Sequence, residues 1–300
     1  MNPQSKIRNP QTEMGHFADR LAAAVHAKGT PLCAGLDPRW GSLPGSIRQR
    51  HAGNIAIAYE EFCFRVLDIV APLVPVVKPQ SAFFEAAGPA GMTALQRVLR
   101  KAKQLGLVTI LDAKRGDIAS TAAAYAEAAF SEFDADALTI NPYLGRDSVE
   151  PFLQFARKDG RGLFVLVRTS NPGSGQLQNL DCGGKALYVR VAEEVRNWAS
   201  ENKGECGFGD VGAVIGATQP AELASLRKLL PEVWFLVPGF GAQGGTAADV
   251  AAAFRPGGLG AVVNSSRGIT FPFAPDDQNW EAAIDAAARK TIQSLTPARV

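Results

Sequence analysis

Eight short, β-rich apolar runs recur along this 300-residue chain, and amphipathic stretches separate them. The runs are PLCAGLD (31–37), LVPVVKP (73–79), LVTILDAK (107–114), ADALTINP (135–142), GLFVLVRT (162–169), VGAVIGAT (211–218), VWFLVPG (233–239) and LGAVVNS (259–265). Each is apolar on both faces, as parallel strands covered by helices are. Stretches such as NIAIAYEEFCFRVLDIVAP, MTALQRVLRKAKQLG, IASTAAAYAEAAFSEFD, GGKALYVRVAEEVRNWASE, QPAELASLRKLLP and GTAADVAAAFRPGG read as helices, with Gly or Pro at their exits. Strand–helix alternation means a parallel sheet. Eight such units predict an α/β fold, a single (β/α)8 TIM barrel. The competing arrangement is an open doubly wound sheet, which one miscounted strand would favour. No composition shift or linker divides the chain. The barrel is therefore expected over residues 17–300 as one catalytic domain, behind a polar N-terminal extension, residues 1–16.

Composition narrows the function classes. With 46% hydrophobic and 20% charged residues the chain can build a substantial core. Lys and Arg total 31 against 29 Asp and Glu, a net charge of +2, which offers no footprint for nucleic acid or an anionic membrane. No stretch approaches the ~18 consecutive apolar residues of a membrane span. The first residues, MNPQSKIRNPQTEMGHFADR, lack the apolar core of a secretory signal. Four scattered cysteines without a CxxC pair suit reduced thiols, so a cytoplasmic location is expected. The three histidines, His16, His26 and His51, have no zinc-binding or triad spacing. No metal is expected.

In a barrel of this kind chemistry sits at the C-terminal ends of the strands. The polar residues there are Asp37, Lys78, Asp112, Lys114, Asn141, Arg168, Thr169, Ser170, Thr218 and Gln219, with Gln243 and Arg267 just beyond strands seven and eight. The segment LVTILDAKRGDIAST is the most informative. Asp112 and Lys114 are two apart on a strand and share a face. Asp117 follows at the start of the next helix, where a helix N-cap is its plain structural role. Lys78 ends the preceding strand. These residues predict an alternating Lys–Asp–Lys–Asp array in one cavity. Carboxylates within ~4–6 Å favour the charged ammonium, so a lysine in such an array is a poised proton donor rather than a Schiff-base nucleophile. A buried ion-pair network that merely braces the barrel is the bland alternative, at the cost of burying four charges.

Strand seven runs into PGFGAQGGTAADV and strand eight into NSSRGI. Loops after these two strands often bind phosphate in this fold. Glycines let backbone N–H groups approach the oxygens, and Arg267 can make bidentate contacts. Gly239, Gly241 and Gly244 spell GxGxxG, but the next strand ends at Asn264 where a dinucleotide site wants an acidic residue. Gly207, Gly209 and Gly212 repeat the spacing ahead of a strand, the wrong context for a nicotinamide cofactor. The polar, glycine-rich TSNPGSGQLQNLDCGG after strand five is a candidate lid or a plain surface loop.

Together these residues resemble a known family. DAKRGDIAST matches the Asp-x-Lys-x-x-Asp signature of orotidine 5′-phosphate decarboxylases. With VVKPQSAFFE, RTSNPGSG and the PGFGAQGG and NSSRG pair, the chain is similar to the divergent bacterial, type 2 branch, over essentially the whole barrel. The resemblance implies decarboxylation of orotidine 5′-phosphate to uridine 5′-phosphate, a step of pyrimidine biosynthesis, without cofactor or metal. It implies that Lys114 protonates C6 and that Asp112 faces the substrate carboxylate and holds the lysines. Asp117 would complete the array; in relatives the corresponding Asp and the nearby Thr, here Thr121, reach into the partner subunit's site, which implies a homodimer. Lys78 and Asp37 would bind the ribose hydroxyls, and Ser170 the pyrimidine edge. Gln243, Arg267 and the backbone near Gly268 would hold the phosphate. Where many relatives carry an aromatic residue near the phosphate-loop Gln, this chain has Gly244 and Gly245.

Other activities fit parts of the pattern. A magnesium-dependent sugar-phosphate lyase shares the signature, but it wants an acid where Lys78 stands. A non-catalytic nucleotide sensor needs the phosphate loops and no proton donor. A class I aldolase would use Lys114 or Lys78 as the Schiff base.

Overall fold

The structure is a computed structural model that describes residues 15–217, 220–241 and 245–296. Each apolar run contains a strand: β1 Leu32–Leu36, β2 Val76–Pro79, β3 Val108–Arg115, β4 Ala137–Ile140, β5 Gly162–Arg168, β6 Val211–Ile215, β7 Phe235–Val237 and β8 Ala261–Ser265. All pair in parallel in sequence order, and β1 closes on β8 through Leu32↔Val263 and Cys33↔Asn264. That closure excludes the open sheet. The protein is a (β/α)8 barrel.

The expected helical stretches carry the helices Ile55–Val70, Gly88–Gln104, Ala119–Glu127, Leu187–Ser200, Pro220–Leu229 and Ala247–Ala251. The last is shorter than its pattern. A capping box between Thr246 and Asp249 starts it, and the left-handed Gly257 and Gly258 turn the chain before β8. Two further long helices, Arg146–Lys158 and Trp280–Leu295, also pack around the barrel.

The core has two layers. The outer one lies between strands and helices and includes Leu36, Val66, Leu95, Leu138 and Val263. The inner one fills the barrel with Cys33, Val76, Ile110, Phe164, Trp234 and Val262. The helix Phe17–Lys28 plugs its N-terminal rim. Phe17 packs edge-on against Phe164, with ring centroids 6.0 Å apart. A side chain at Gly162, the first residue of β5, would come within 2.2 Å of the Phe17 ring, so only glycine admits the plug. Burying a Phe is worth roughly 1.5–3 kcal/mol. Polar bonds fix the plug's orientation. The Asp19 carboxylate accepts from the backbone N–H groups of Glu205 and Cys206, and Arg20 donates to Asp136 at 2.7 Å and to the Gly160 carbonyl at 3.1 Å. One end of the barrel is thus sealed, and chemistry is left to the other.

Candidate active site

The β3–β4 ladder is irregular where the sequence signature lies. Leu111 pairs with Leu138 and Arg115 with Ile140, so β3 advances four residues while β4 advances two. Asp112, Ala113 and Lys114 form the bulge. Lys114 sits at φ 48°, in the left-handed region that residues other than glycine rarely adopt. Such irregularities next to functional sites re-aim side chains. Here Lys114 Nζ donates to Asp112 Oδ1 at 2.6 Å, and Lys78 Nζ, from the neighbouring β2, donates to Asp112 Oδ2 at 2.5 Å. Lys78 and Asp112 are buried, whereas the Lys114 side chain is 44% exposed. One carboxylate therefore holds two ammonium groups at the mouth, one sealed in and one open to the cavity.

Burial disfavours ionisation of Asp112, yet the Lys78 and Lys114 charges and their hydrogen bonds outweigh it and hold the carboxyl well below the usual range. Burial likewise opposes the Lys78 charge, but Asp112 and Asp37 raise that group above an ordinary lysine. A lowered carboxyl contributes stability that is present above its unfolded pKa, about 3.9, and is lost as pH falls toward the folded value. A raised lysine contributes below about 10.4 and loses that contribution as pH rises. The pair is thus intact from roughly pH 5 to 9. Asp112→Asn should cost about 3–5 kcal/mol on that plateau, because two ammonium groups lose their counter-charge. Urea unfolding at a series of pH values should show the deficit shrinking below about pH 4; a deficit that grows there would contradict the ionised state of Asp112.

Two adjoining cavities share this cluster. One, of about 380 Å³, is lined by Lys78, Asp112, Lys114, Ser170 and the apolar Leu166, Val214 and Leu236. The other, of about 370 Å³, is lined by Lys78 and Asp112 together with Asp37, Arg39, Asn264 and Arg267. In the second, Asp37 Oδ1 and Asn264 Oδ1 are buried without a hydrogen-bond partner among the described residues, so both can accept from a hydroxyl-bearing ligand. Arg267 opens the helical turn Arg267–Thr270 after β8, with Gly268 next in it, and forms no ion pair with a described residue. The turn lies close over β1: a Cβ at Gly35 would fall 1.9 Å from Ser266 Oγ.

A family model described as orotidine 5′-phosphate decarboxylase / HUMPS family matches residues 30–278. The chain belongs to that family. An orotidine 5′-phosphate decarboxylase of Rhodopirellula baltica is 49% identical over 297 residues, spanning 93% of this chain and 98% of that protein. One from Deinococcus radiodurans is 43% identical over 257 residues, 85% of this chain and 89% of that one. The structure of Leishmania donovani OMP decarboxylase matches with a TM-score of 0.78 at 38% identity, covering 95% of this chain and 98% of that chain.

In this member of the orotidine 5′-phosphate decarboxylase / HUMPS family, the sequence-predicted site residues divide into three groups. Lys78, Asp112, Lys114, Asp37, Ser170 and Arg267 converge on the two cavities, with Gly268 beside Arg267. Asp117 and Thr121 lie outside them. The Asp117 carboxylate accepts from the Ile118 N–H, and Thr121 is exposed in the first turn of Ala119–Glu127. The expected four-charge array is therefore a three-charge cluster within one chain. Asp117 is not the helix cap either, since Ile118 holds that position. Gln243, Thr218 and Gln219 lie outside the described residues.

Arg168 differs from the reading of strand-end charges as active-site groups. It is buried, paired with both carboxylate oxygens of Glu222 through Nε and Nη2, and stacked 5.1 Å over the Tyr188 ring. Strict alternation from Phe164 and Leu166 would aim it into the barrel, but the β5–β6 register shifts between Leu166 and Arg168, and past that bulge the side chain lies among the surrounding helices. It also donates to Gln178, whose side chain accepts from the Thr169 N–H and donates to Thr169 Oγ1. The segment proposed as a lid is thus pinned to the strand end by Gln178. Sequence reasoning missed Arg39, Asn264 and Thr139. Asn264 and Thr139 carried usable signals: a polar group at the C-terminal end of β8, and a hydroxyl inside the otherwise apolar β4 on the face opposite Leu138.

Proposed function

We propose that this enzyme, a carbon–carbon lyase, converts orotidine 5′-phosphate to uridine 5′-phosphate and CO2 without metal or cofactor. The observation that carries this reading is the Lys114 ammonium, held 2.6 Å from a buried carboxylate at the edge of a cavity whose neighbour ends in Arg267. The C6–carboxylate bond breaks, its electron pair stays on C6, and CO2 leaves. Lys114 Nζ delivers a proton to C6 and is reprotonated from solvent. A fixed cation beside the developing carbanion stabilises it without reorganisation. Asp112, ionised and facing the departing carboxylate, disfavours the ground state. Lys78 and Asp37 bind the ribose hydroxyls, Ser170 meets the pyrimidine edge, and Arg267, the Gly268 backbone and Gln243 hold the phosphate. Phosphate binding far from C6 supplies energy for the reacting centre when it strengthens in the transition state.

The chemistry fits a cation held by protein rather than metal: Lys78 Nζ stands where a divalent ion on Asp112 would have to bind. Following the ultraviolet absorbance of orotidine 5′-phosphate with EDTA present tests both halves of the proposal. Steady consumption is expected. No consumption would refute the substrate, and consumption only after metal is restored would refute the cofactor-free mechanism.

The working unit in this proposal is a cytoplasmic homodimer in which Asp117 and Thr121 serve the partner subunit. Ile118, next to Asp117, and Tyr143 and Leu144, on the loop after β4, expose apolar side chains. Neither Asp117→Ala nor Lys114→Ala subunits should turn over alone, while mixed dimers should recover activity toward one wild-type site per dimer. Absence of recovery on subunit exchange would place Asp117 outside the neighbouring site.

A further inference from the structure

The Thr139 hydroxyl has all three of its hydrogen-bonding capacities engaged at the β3 bulge. It accepts from the backbone N–H of Ala113 at 3.0 Å and of Lys114 at 2.9 Å, and it donates to Asp112 Oδ1 at 2.9 Å. A hydroxyl offers two lone pairs and one proton. With both lone pairs occupied by N–H donors, its proton has one direction left, toward the Asp112 oxygen that also receives Lys114 Nζ. The result is a closed ring. It runs from the Lys114 N–H to Thr139 Oγ1, from that hydroxyl to Asp112 Oδ1, and from there back to the Lys114 ammonium.

We infer that Thr139 is a positioning residue for the decarboxylation, fixing Lys114 at both ends, its strained backbone and its proton-donating ammonium. This deepens the proposed decarboxylase function and rests on it. Three observations support the inference. The bulge places two backbone N–H groups where the β4 ladder supplies no register partner, and Thr139 is the β4 residue that falls between the paired positions 138 and 140. A left-handed φ at a residue with a long side chain costs about 1–3 kcal/mol and persists only where its surroundings over-determine it; these two N–H bonds are the restraint at Lys114. Finally, Thr139 is buried and lines the cavity of Lys78, Asp112 and Lys114, so its hydrogen bonds lie in a medium where they are strong. Without the hydroxyl, Asp112 keeps its two lysines but loses the donor that fixes its rotation, and Lys114 loses the anchor that aims its stem. Errors of about 1 Å in placing a catalytic group can cost about a hundredfold.

The test compares Thr139→Val, which keeps the shape and removes the hydroxyl, with Thr139→Ser, which keeps the hydroxyl. Turnover of orotidine 5′-phosphate, affinity for uridine 5′-phosphate and the thermal midpoint are measured on each, with wild type alongside. Thr139→Val should lower kcat about 30- to 300-fold while product affinity stays within about threefold, because ground-state contacts do not depend on the aim of the ammonium. Thr139→Ser should stay within about fivefold of wild type in kcat. A folded Thr139→Val with kcat within threefold of wild type would overturn the inference, as would a serine variant as impaired as the valine one. Loss of product affinity in proportion to kcat would reassign Thr139 to general support of the fold. If Thr139→Val does not fold, Thr139→Ala takes its place with the same thresholds. A wild type inert toward orotidine 5′-phosphate would sink the decarboxylase reading itself, which keeps the two failures apart.

Discussion

Lys114→Ala should abolish turnover while sparing the binding site. The expected fall in kcat is about ten-thousandfold or more, since one side chain serves as both proton donor and fixed cation, contributions worth roughly 10²–10⁴ and 10²–10³ separately. Affinity for uridine 5′-phosphate should change by less than about tenfold, because that product carries no charge at C6 for the ammonium to meet. Folding should survive. The Lys114 side chain is 44% exposed, and Asp112 keeps Lys78 and Thr139 as partners. Single-turnover decarboxylation with nucleotide titration measures both quantities. Retained turnover would remove Lys114 from the mechanism. Borohydride reduction of wild type with a carbonyl substrate offers a separate check, and covalent labelling of Lys114 or Lys78 would point instead to Schiff-base chemistry.

Arg267→Ala should give the second largest loss, and a selective one. For orotidine 5′-phosphate, kcat/KM should fall about 10²- to 10³-fold, the scale of losing charge-assisted bonds to a phosphate whose binding is used in the transition state. For orotidine, which lacks the phosphate, wild type and variant should be equally slow. Arg267 lines the cavity that also holds Asp37 and Asn264, and it forms no ion pair with a described residue, so its removal leaves no internal charge stranded. Equal losses on nucleotide and nucleoside would show that Arg267 acts on the fold of the loop and not on the phosphate.

Much of the molecule was legible in advance for physical reasons. A strand buried on both faces must be apolar throughout, so eight such runs announced the parallel barrel, and β1–β8 pairing closed it. Polar groups at the C-terminal ends of those runs had no place in a core, so the strand pattern alone gathers Lys78, Asp112 and Lys114 into one site. Pattern reading did less well where local signals compete. Arg168 read as an active-site charge, yet a bulge between Leu166 and Arg168 breaks the alternation of β5 and leaves it on Glu222 and Tyr188. Asp117 read as the fourth member of the array, yet within one chain it accepts from the Ile118 N–H.

The sequence by itself determined the order of strands and helices, the end of the barrel that carries chemistry, and the residue types assembled there, because burial and strand period act residue by residue. Only the tertiary structure decided that β3 bulges at Lys114, that the lysine backbone is left-handed, and that one threonine from β4 joins both its ends to Asp112. Those features depend on the register between neighbouring strands, a relation between segments distant in the chain, which no local pattern of residues encodes.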